Sequence, residues 1–214
     1  MSPALFRRRR PLPPALRAAL DPDERINVNA PCDDGRLLAV SRFGLWVVPE
    51  AATGPKGPVG PTGSTVVNAD GVDLGGAAGP VHRIGWELVA RARLTARVLS
   101  VIPTRVVGSL PDGDSGAGGD GGVDVLVDEP ELVFGLATGS GLTDVVHQRV
   151  RRSVAASRHL PHPGAGGWVV LRRVPGRDGL TRQVRLDPGA DPLAPGFAAA
   201  VVAVAADLAA TLPT

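Results

Sequence analysis

Apolar residues alternate with polar ones through much of the region between residues 25 and 136, in short runs that end at turn-forming residues. A period of two places successive side chains on opposite faces of a strand, and turns between such runs favour antiparallel pairing. We therefore expect about seven short antiparallel strands. Eight runs are candidates for these strands, namely Arg25–Ala30, Leu37–Ser41, Leu45–Val48, Val81–Leu88, Leu88–Leu94, Ala96–Ile102, Val123–Val127 and Leu132–Leu136.

The spacing changes at Leu142, where apolar residues begin to recur at every third or fourth position. This spacing is typical of an amphipathic helix. Ser140 is a suitable N-cap, Asp144 would stabilise the first turn, and Pro161 would prevent the helix from continuing. We predict a helix over residues 142–158 whose apolar stripe covers the open end of the strands. The stripe consists of Leu142, Val145, Val146, Val150 and Val154.

Two further elements follow the predicted helix. Trp168–Val174 and Thr181–Asp187 flank a turn at Pro175–Gly179, which predicts a β-hairpin. The alanine-rich run Phe197–Leu212 predicts a second long helix. We expect both elements to be appended to the strand domain and to pack on it.

Glycine and proline are abundant, with 28 and 21 copies in 214 residues. Residues 50–80 contain three Gly-X-Y triplets, too few for a collagen helix, and we predict a disordered insertion there. Residues 111–122 are predicted to form an acidic, glycine-rich loop. The predicted organisation is a basic, proline-rich arm over 1–20, a domain over 21–160 that contains both segments, and an extension over 161–214.

The composition excludes several classes of protein. Cys32 is the only cysteine, which excludes an internal disulfide and a zinc site built on several thiolates. The apolar stretch Phe197–Ala206 has about half of the 20 residues that a transmembrane helix needs. Arg7–Arg10 are followed by Pro-Leu-Pro-Pro rather than by the apolar segment of a secretory signal. We therefore expect a cytoplasmic protein.

The net charge is only +2, but the charges are unevenly distributed. Residues 106–141 contain seven acidic residues and no basic residue, whereas residues 142–187 contain nine arginines and three aspartates. Such neighbouring segments can neutralise each other within the fold, or they can form an anion-binding surface. This balance does not indicate nucleic acid binding.

Two motifs in the acidic loop suggest chemistry that the rest of the chain does not support. Gly113–Gly116 has the sequence of the nucleophile motif of trypsin-like proteases, but the histidine upstream, His82, lacks the surroundings of a catalytic base. Asp112, Asp114 and Asp120 do not have the ligand spacing of an EF-hand. We predict no catalytic residue and no cofactor.

The four histidines suggest at most one polar site. On a continuous helix, residues 147 and 159 would point about 120° apart, so a shared metal site is not expected. His82 falls on the same strand face as Ile84 and Trp86, which makes it the weak candidate for a polar site. The other three are His147, His159 and His162.

Four stretches of the chain combine apolar runs with turns, namely Leu20–Arg25, Leu37–Trp46, Val81–Trp86 and Val146–Arg158. With these stretches the chain resembles a family of uncharacterised actinobacterial proteins with a pleckstrin-homology-like (PH-like) fold. The resemblance covers roughly residues 20–160 and implies an α+β fold. In that fold two near-orthogonal sheets form a partly open barrel or sandwich, and an amphipathic helix covers one open end. The resemblance implies no function for individual residues.

The expected function is that of a non-enzymatic PH-like module that interacts with an unknown protein partner. One alternative is a peripheral protein that binds anionic lipid through Arg7, Arg8, Arg9 and Arg10, each contributing about 1 kcal/mol near the membrane surface. Another alternative is an enzyme of unrecognised type, in which His82 would be the candidate residue.

Overall fold

The computed structural model describes residues 12–50, 80–111, 122–137 and 141–212. This part of the chain is a mixed α+β fold, mostly strand, in which the sheets form a curled, open half-barrel. Its helices are α1 (Pro14–Ala19), α2 (Leu142–Ser153) and α3 (Phe197–Ala210). Its strands are β1 (Ile26–Pro31), β2 (Leu37–Ser41), β3 (Gly44–Val48), β4 (His82–Gly85), β5 (Val89–Thr95), β6 (Val98–Leu110), β7 (Val123–Asp128), β8 (Leu132–Gly135), β9 (Val154–His162), β10 (Ala165–Arg172) and β11 (Thr181–Leu186).

The first sheet contains β1, β2, β3 and β4 in chain order, and each strand is antiparallel to the next. Alternate residues such as Val40 and Leu45 enter the main core on its inner face. On its outer face, Leu16 of α1 packs against Trp46 of β3. Because both faces are covered, every residue of β3 is buried.

The second sheet has the order β5-β6-β7-β11-β10-β9, and β8 also pairs with β6. The first half of β6 pairs with β5 and β8, and its second half pairs with β7. A bulge interrupts the register between Val106 and Gly108, which locally increases the twist of the strand. β7 and β11 are parallel, and all other pairs among the described strands are antiparallel.

The main core lies between the first sheet and strands β5, β6 and β8. Cys32 and Leu136 form an isolated β-bridge that joins the two sheets along one edge. Helix α2 packs on the same core, with Leu142 and Val146 buried and Val150 partly buried. Burial of an aliphatic side chain of this size contributes about 1.5–3 kcal/mol. The predicted burial of the apolar stripe is confirmed for these residues.

A second core lies where α3 packs on strands β7, β10 and β11 of the longer sheet. Phe197 and Val201 of α3 pack against Val169 of β10 and Val184 of β11. The predicted β10–β11 hairpin and the predicted C-terminal helix are confirmed. Helix α3 therefore covers one face of this part of the sheet. Residues on the other face line the site described below.

The helix predicted over residues 142–158 is shorter than expected. α2 ends at Ser153, whose carbonyl accepts the backbone N–H of Arg173 at 2.7 Å. Val154 begins β9, which pairs with β10. Pro161 lies within β9, where it is tolerated because β9 is an edge strand. The prediction of helix over 154–158 is wrong, because these residues belong to strand β9.

The predicted strand Val81–Leu88 is also shorter, because β4 ends at Gly85 and Trp86–Leu88 form a 3-10 turn. This turn connects the two sheets. The N-cap of α2 is Gly141, without a side-chain cap, and the predicted cap Ser140 lies outside the described residues.

The predicted insertion over 50–80 and the predicted loop over 111–122 lie outside the described residues, apart from their end positions. Within the ranges that the structure describes, no helix is long and apolar enough to cross a bilayer.

Candidate functional site

Three segments that are distant in sequence meet at the end of the first sheet. The side chain of Glu24 is fully buried, and its carboxylate accepts the hydroxyl of Ser41 and the indole N–H of Trp46. Its second oxygen accepts Nη1 of Arg83 at 2.7 Å. Three of the four stretches quoted in the sequence analysis, Leu20–Arg25, Leu37–Trp46 and Val81–Trp86, therefore meet at one buried carboxylate.

Arg83 connects this buried network to the protein surface. Its Nη1 also donates to Asp21 at 2.8 Å, and its guanidinium lies 5.5 Å from the centre of the Phe43 ring. Burial alone would lower the pKa of Arg83, but its bonds with Asp21 and Glu24 outweigh that effect and raise the pKa. Arg83 is therefore a cation held in a fixed position.

A groove runs from Arg83 across the second sheet to the loop between β10 and β11. It consists of two compartments of about 670 and 610 Å³, which share Asp124, Arg177 and Thr181. We call these two compartments together the polar groove. The first compartment is also lined by Asp21, Phe43, Arg83, Glu87, Val106 and Gln183, and the second by Ser109, Asp178, Leu180 and Arg182.

A row of polar residues crosses the polar groove. The register places Ser109 of β6 opposite Asp124 of β7, and Asp124 opposite Gln183 of β11. Gln183 is only 2% exposed, and its side-chain carbonyl oxygen has no hydrogen-bond donor among the described residues. A buried polar atom without a partner costs about 1–3 kcal/mol.

Glu87 lies in the 3-10 turn at one side of the polar groove. Its carboxylate forms no hydrogen bond or ion pair with another described residue. The carboxylate lies directly over the backbone of Gly85, where a Cβ would be 2.6 Å from Cδ of Glu87. Glycine at residue 85 thus leaves the space that this carboxylate occupies.

Arg172 of β10 holds the turn that carries Glu87. It is only 6% exposed, and its guanidinium donates to the carbonyls of Trp86 at 3.3 Å and Val89 at 3.0 Å, and to the hydroxyl of Ser153 at 2.7 Å. Burial lowers the pKa of Arg172, and the nearby charge of Glu87 partly opposes this effect. Two of its bonds reach carbonyls on either side of Glu87, so Arg172 fixes the turn at both ends.

His82, the polar-site candidate from the sequence, does not line the polar groove. It lies on β4, two positions from the buried Ile84, as the alternation predicts. Its Nδ1 is 3.3 Å from the carbonyl oxygen of Pro80, and its buried Nε2 has no partner in the part of the chain that the structure describes. Burial lowers the pKa of His82, which favours the neutral ring. A catalytic role for His82 stays a hypothesis.

The remaining histidines do not form one cluster, because His147 lies on α2 whereas His159 and His162 lie on β9. His147 is exposed on α2, whereas His159 lies on β9 and contacts Asp187 at 2.8 Å, so the two do not share a helix. His162 contacts the ring of Phe197, with 5.6 Å between centres. Over residues 12–50, 80–111, 122–137 and 141–212, no group of three His, Cys, Asp or Glu side chains is arranged to hold a metal ion.

The predicted anionic-surface contacts, Arg7–Arg10, lie outside the described residues. The protease-like motif Gly113–Gly116 and the aspartates Asp112, Asp114 and Asp120 lie outside them as well.

No protein-family model, curated protein or solved structure matches this chain. Membership of a PH-like family stays a prediction from the sequence.

No sequence pattern indicated Glu24, Glu87 or Gln183 as site residues. Glu24 and Arg83 both lie in the stretches that carry the family resemblance, and two charged residues beside runs expected to be buried are a usable signal. Gln183 gives no such signal, because its strand also contains Arg182 and Arg185 and its sequence does not show which face is buried.

Proposed function

We propose that this chain is a non-enzymatic PH-like module that binds an extended segment of a partner protein in the polar groove. Support for the PH-like architecture comes from the curled half-barrel and from the burial of α2 on its core. Support for the groove as the binding surface comes from groups whose bonding capacity the described residues leave unused.

The exposed side chain of Val106 is the observation that carries the proposal. Val106 lines the first compartment and is 46% exposed, so a segment that covered it would remove apolar surface from water.

The chemical variety of the polar groove favours a polypeptide segment. Besides apolar Val106, it contains the carboxylate of Glu87 and the guanidinium of Arg177, neither of which forms a side-chain hydrogen bond or ion pair with a described residue. Successive residues of one segment can present apolar, basic and acidic side chains to such a surface. The main chain of the segment supplies N–H groups at every residue except proline.

Selection of random peptides of about twelve residues, displayed on phage and captured by the full-length protein, tests this function. We expect enriched peptides to bind the wild-type protein about tenfold more tightly than the Val106→Asn variant, because burial of a valine contributes about 1.5 kcal/mol. The matched control is Val107→Asn, since Val107 is 43% exposed on the same strand and does not line the groove.

Two results would contradict the proposal. The selection could yield no enriched peptide, or the enriched peptides could bind Val106→Asn and Val107→Asn equally well. The second result would place binding elsewhere on the protein.

A further inference from the structure

The charged side chains around the first compartment differ in how they are paired. Asp21 binds Arg83 at 2.8 Å, and Arg83 is shared with the buried Glu24 at 2.7 Å. Glu87 has no such partner among the described residues. A half-buried carboxylate retains only part of its hydration, so a cation with N–H donors beside it is favoured.

We propose that Glu87 binds the side-chain cation of an arginine or lysine in the partner segment. This inference rests on the proposed function, because it specifies the chemistry of the segment that occupies the polar groove. Glu87 selects for a basic side chain within that segment.

None of the other charged side chains among the described residues pairs with the carboxylate of Glu87, so a cation of the partner segment can bind it. Among the described residues, two arginines line the first compartment. Arg83 is already bonded to two carboxylates, and Arg177 is exposed on the β10–β11 loop. Arg172 attracts Glu87 electrostatically, but it donates its hydrogen bonds to backbone carbonyls and Ser153. Arg172 therefore leaves the carboxylate oxygens of Glu87 unoccupied.

The orientation of the carboxylate is set by its neighbours before any segment binds. The missing side chain of Gly85 leaves room for it, and Arg172 bonds to carbonyls on both sides of Glu87. A group that is already ordered loses less conformational entropy on binding, which raises affinity and selectivity. Gly85 and Arg172 are thus positioning residues for Glu87.

The peptides enriched by the phage selection provide the probes. Each peptide that contains a single arginine is synthesised with a fluorescein label, and again with that arginine replaced by citrulline, which has nearly the same shape but no charge. Binding to the full-length protein is measured by fluorescence anisotropy. We expect citrulline to weaken binding to the wild-type protein by about tenfold and to have no effect on binding to Glu87→Gln.

Two further variants test whether the position of the charge matters. Gly85→Ala keeps Glu87 but displaces its carboxylate, so it should reduce the preference for arginine over citrulline. Glu131→Gln removes the same charge from an exposed residue that does not line the groove, and it should leave the preference unchanged.

The outcomes separate this inference from the function on which it rests. If groove-dependent peptides lack basic residues, or if arginine and citrulline peptides bind the wild-type protein equally, Glu87 is not a cation site and the proposed function stands. A preference for arginine that persists in Glu87→Gln also overturns the inference. If no peptide is enriched, both proposals fail.

Discussion

The indole N–H of Trp46 donates to the buried carboxylate of Glu24 at 2.8 Å. The same carboxylate accepts the hydroxyl of Ser41 and a guanidinium N–H of Arg83, which is 59 positions away in the chain. One side chain therefore joins the segment before β1 to strands β2, β3 and β4. We infer that this network stabilises the curvature of the first sheet as well as the position of Arg83 in the polar groove.

Replacement of Glu24 with alanine should destabilise the protein by about 3 kcal/mol, because it leaves buried donors without their acceptor. Glu24→Gln should cost less, since the amide retains one acceptor oxygen. The free energy of unfolding is obtained from urea denaturation followed by tryptophan fluorescence. Asp21→Asn, at the exposed end of the network, should cost less than about 1 kcal/mol. Equal effects of Glu24→Ala and Asp21→Asn would contradict the structural role of Glu24.

Replacement of Leu142 with alanine should destabilise the protein by about 3 kcal/mol, because Leu142 is fully buried where α2 meets the main core. Gln148→Ala, on an exposed position of the same helix, should change stability by less than about 0.5 kcal/mol. Thermal and urea unfolding of both variants measure the difference. A stable Leu142→Ala protein would mean that α2 is not required to cover the half-barrel.

Local sequence patterns were sufficient to predict α2 and the β10–β11 hairpin. They did not distinguish strand from helix after residue 153. Val154 continues the apolar spacing of α2, so both structures fit the pattern locally. The pairing of β9 with β10 decides between them, and the turn between these strands contains Gly164 with a φ of 71°. The Pro163–Gly164 pair was the available signal for a hairpin at this point.

The polar groove depends on relationships that no local pattern contains. Ser109, Asp124 and Gln183 come from three different strands, and they form one row because β7 pairs with β11 in parallel and with β6 in antiparallel register. Strand register over such distances follows from burial of the whole sheet rather than from the sequence of one strand. Arg83 lies in one of the stretches identified from the sequence, but the sequence did not predict the groove beside it.

Acid should destabilise the protein through His82. Burial lowers its pKa from the ordinary value of 6.5, so the unfolded chain binds this proton before the folded protein does. The contribution of His82 to stability is therefore fully present above about pH 6.5 and is lost as the pH falls through its lowered pKa. Unfolding free energies between about pH 5 and 8 should fall less steeply for His82→Gln than for wild type. His147→Gln, which changes an exposed histidine, should follow wild type, and identical slopes for all three proteins would contradict the assignment.

Replacement of the four arginines Arg7–Arg10 with serine in the full chain tests the lipid-binding alternative. If these residues bind an anionic surface, wild type should sediment with phosphatidylserine vesicles more than the variant does, by about 1 kcal/mol per arginine. The difference should shrink as salt is raised, because exposed charges are screened within about 10 Å at 0.1 M. Neutral phosphatidylcholine vesicles are the control. Equal sedimentation of both proteins on anionic vesicles would remove this role for the arginines.

Cys32 should react with Ellman's reagent only when the half-barrel opens. Its side chain is nearly inaccessible, and burial, assisted by the negative charge of Asp34, raises the pKa of its thiol to about 12. The thiolate, which is the reactive form, is therefore scarce at pH 8. We expect labelling of the folded protein to be at least about a hundredfold slower than labelling in concentrated urea.

The rate of this labelling also measures how firmly the two sheets are joined. Cys32 bridges to Leu136 at the edge where the backbone N–H of Asp33 donates to the carbonyl of Gly135 at 2.8 Å. When opening is fast and reversible, the labelling rate reports the free energy of separating this edge. Leu142→Ala should increase the rate, because Leu142 packs in the same core as Cys32, whereas Gln148→Ala should not. Labelling of the folded wild-type protein as fast as the unfolded chain would show that this edge of the half-barrel is open in solution.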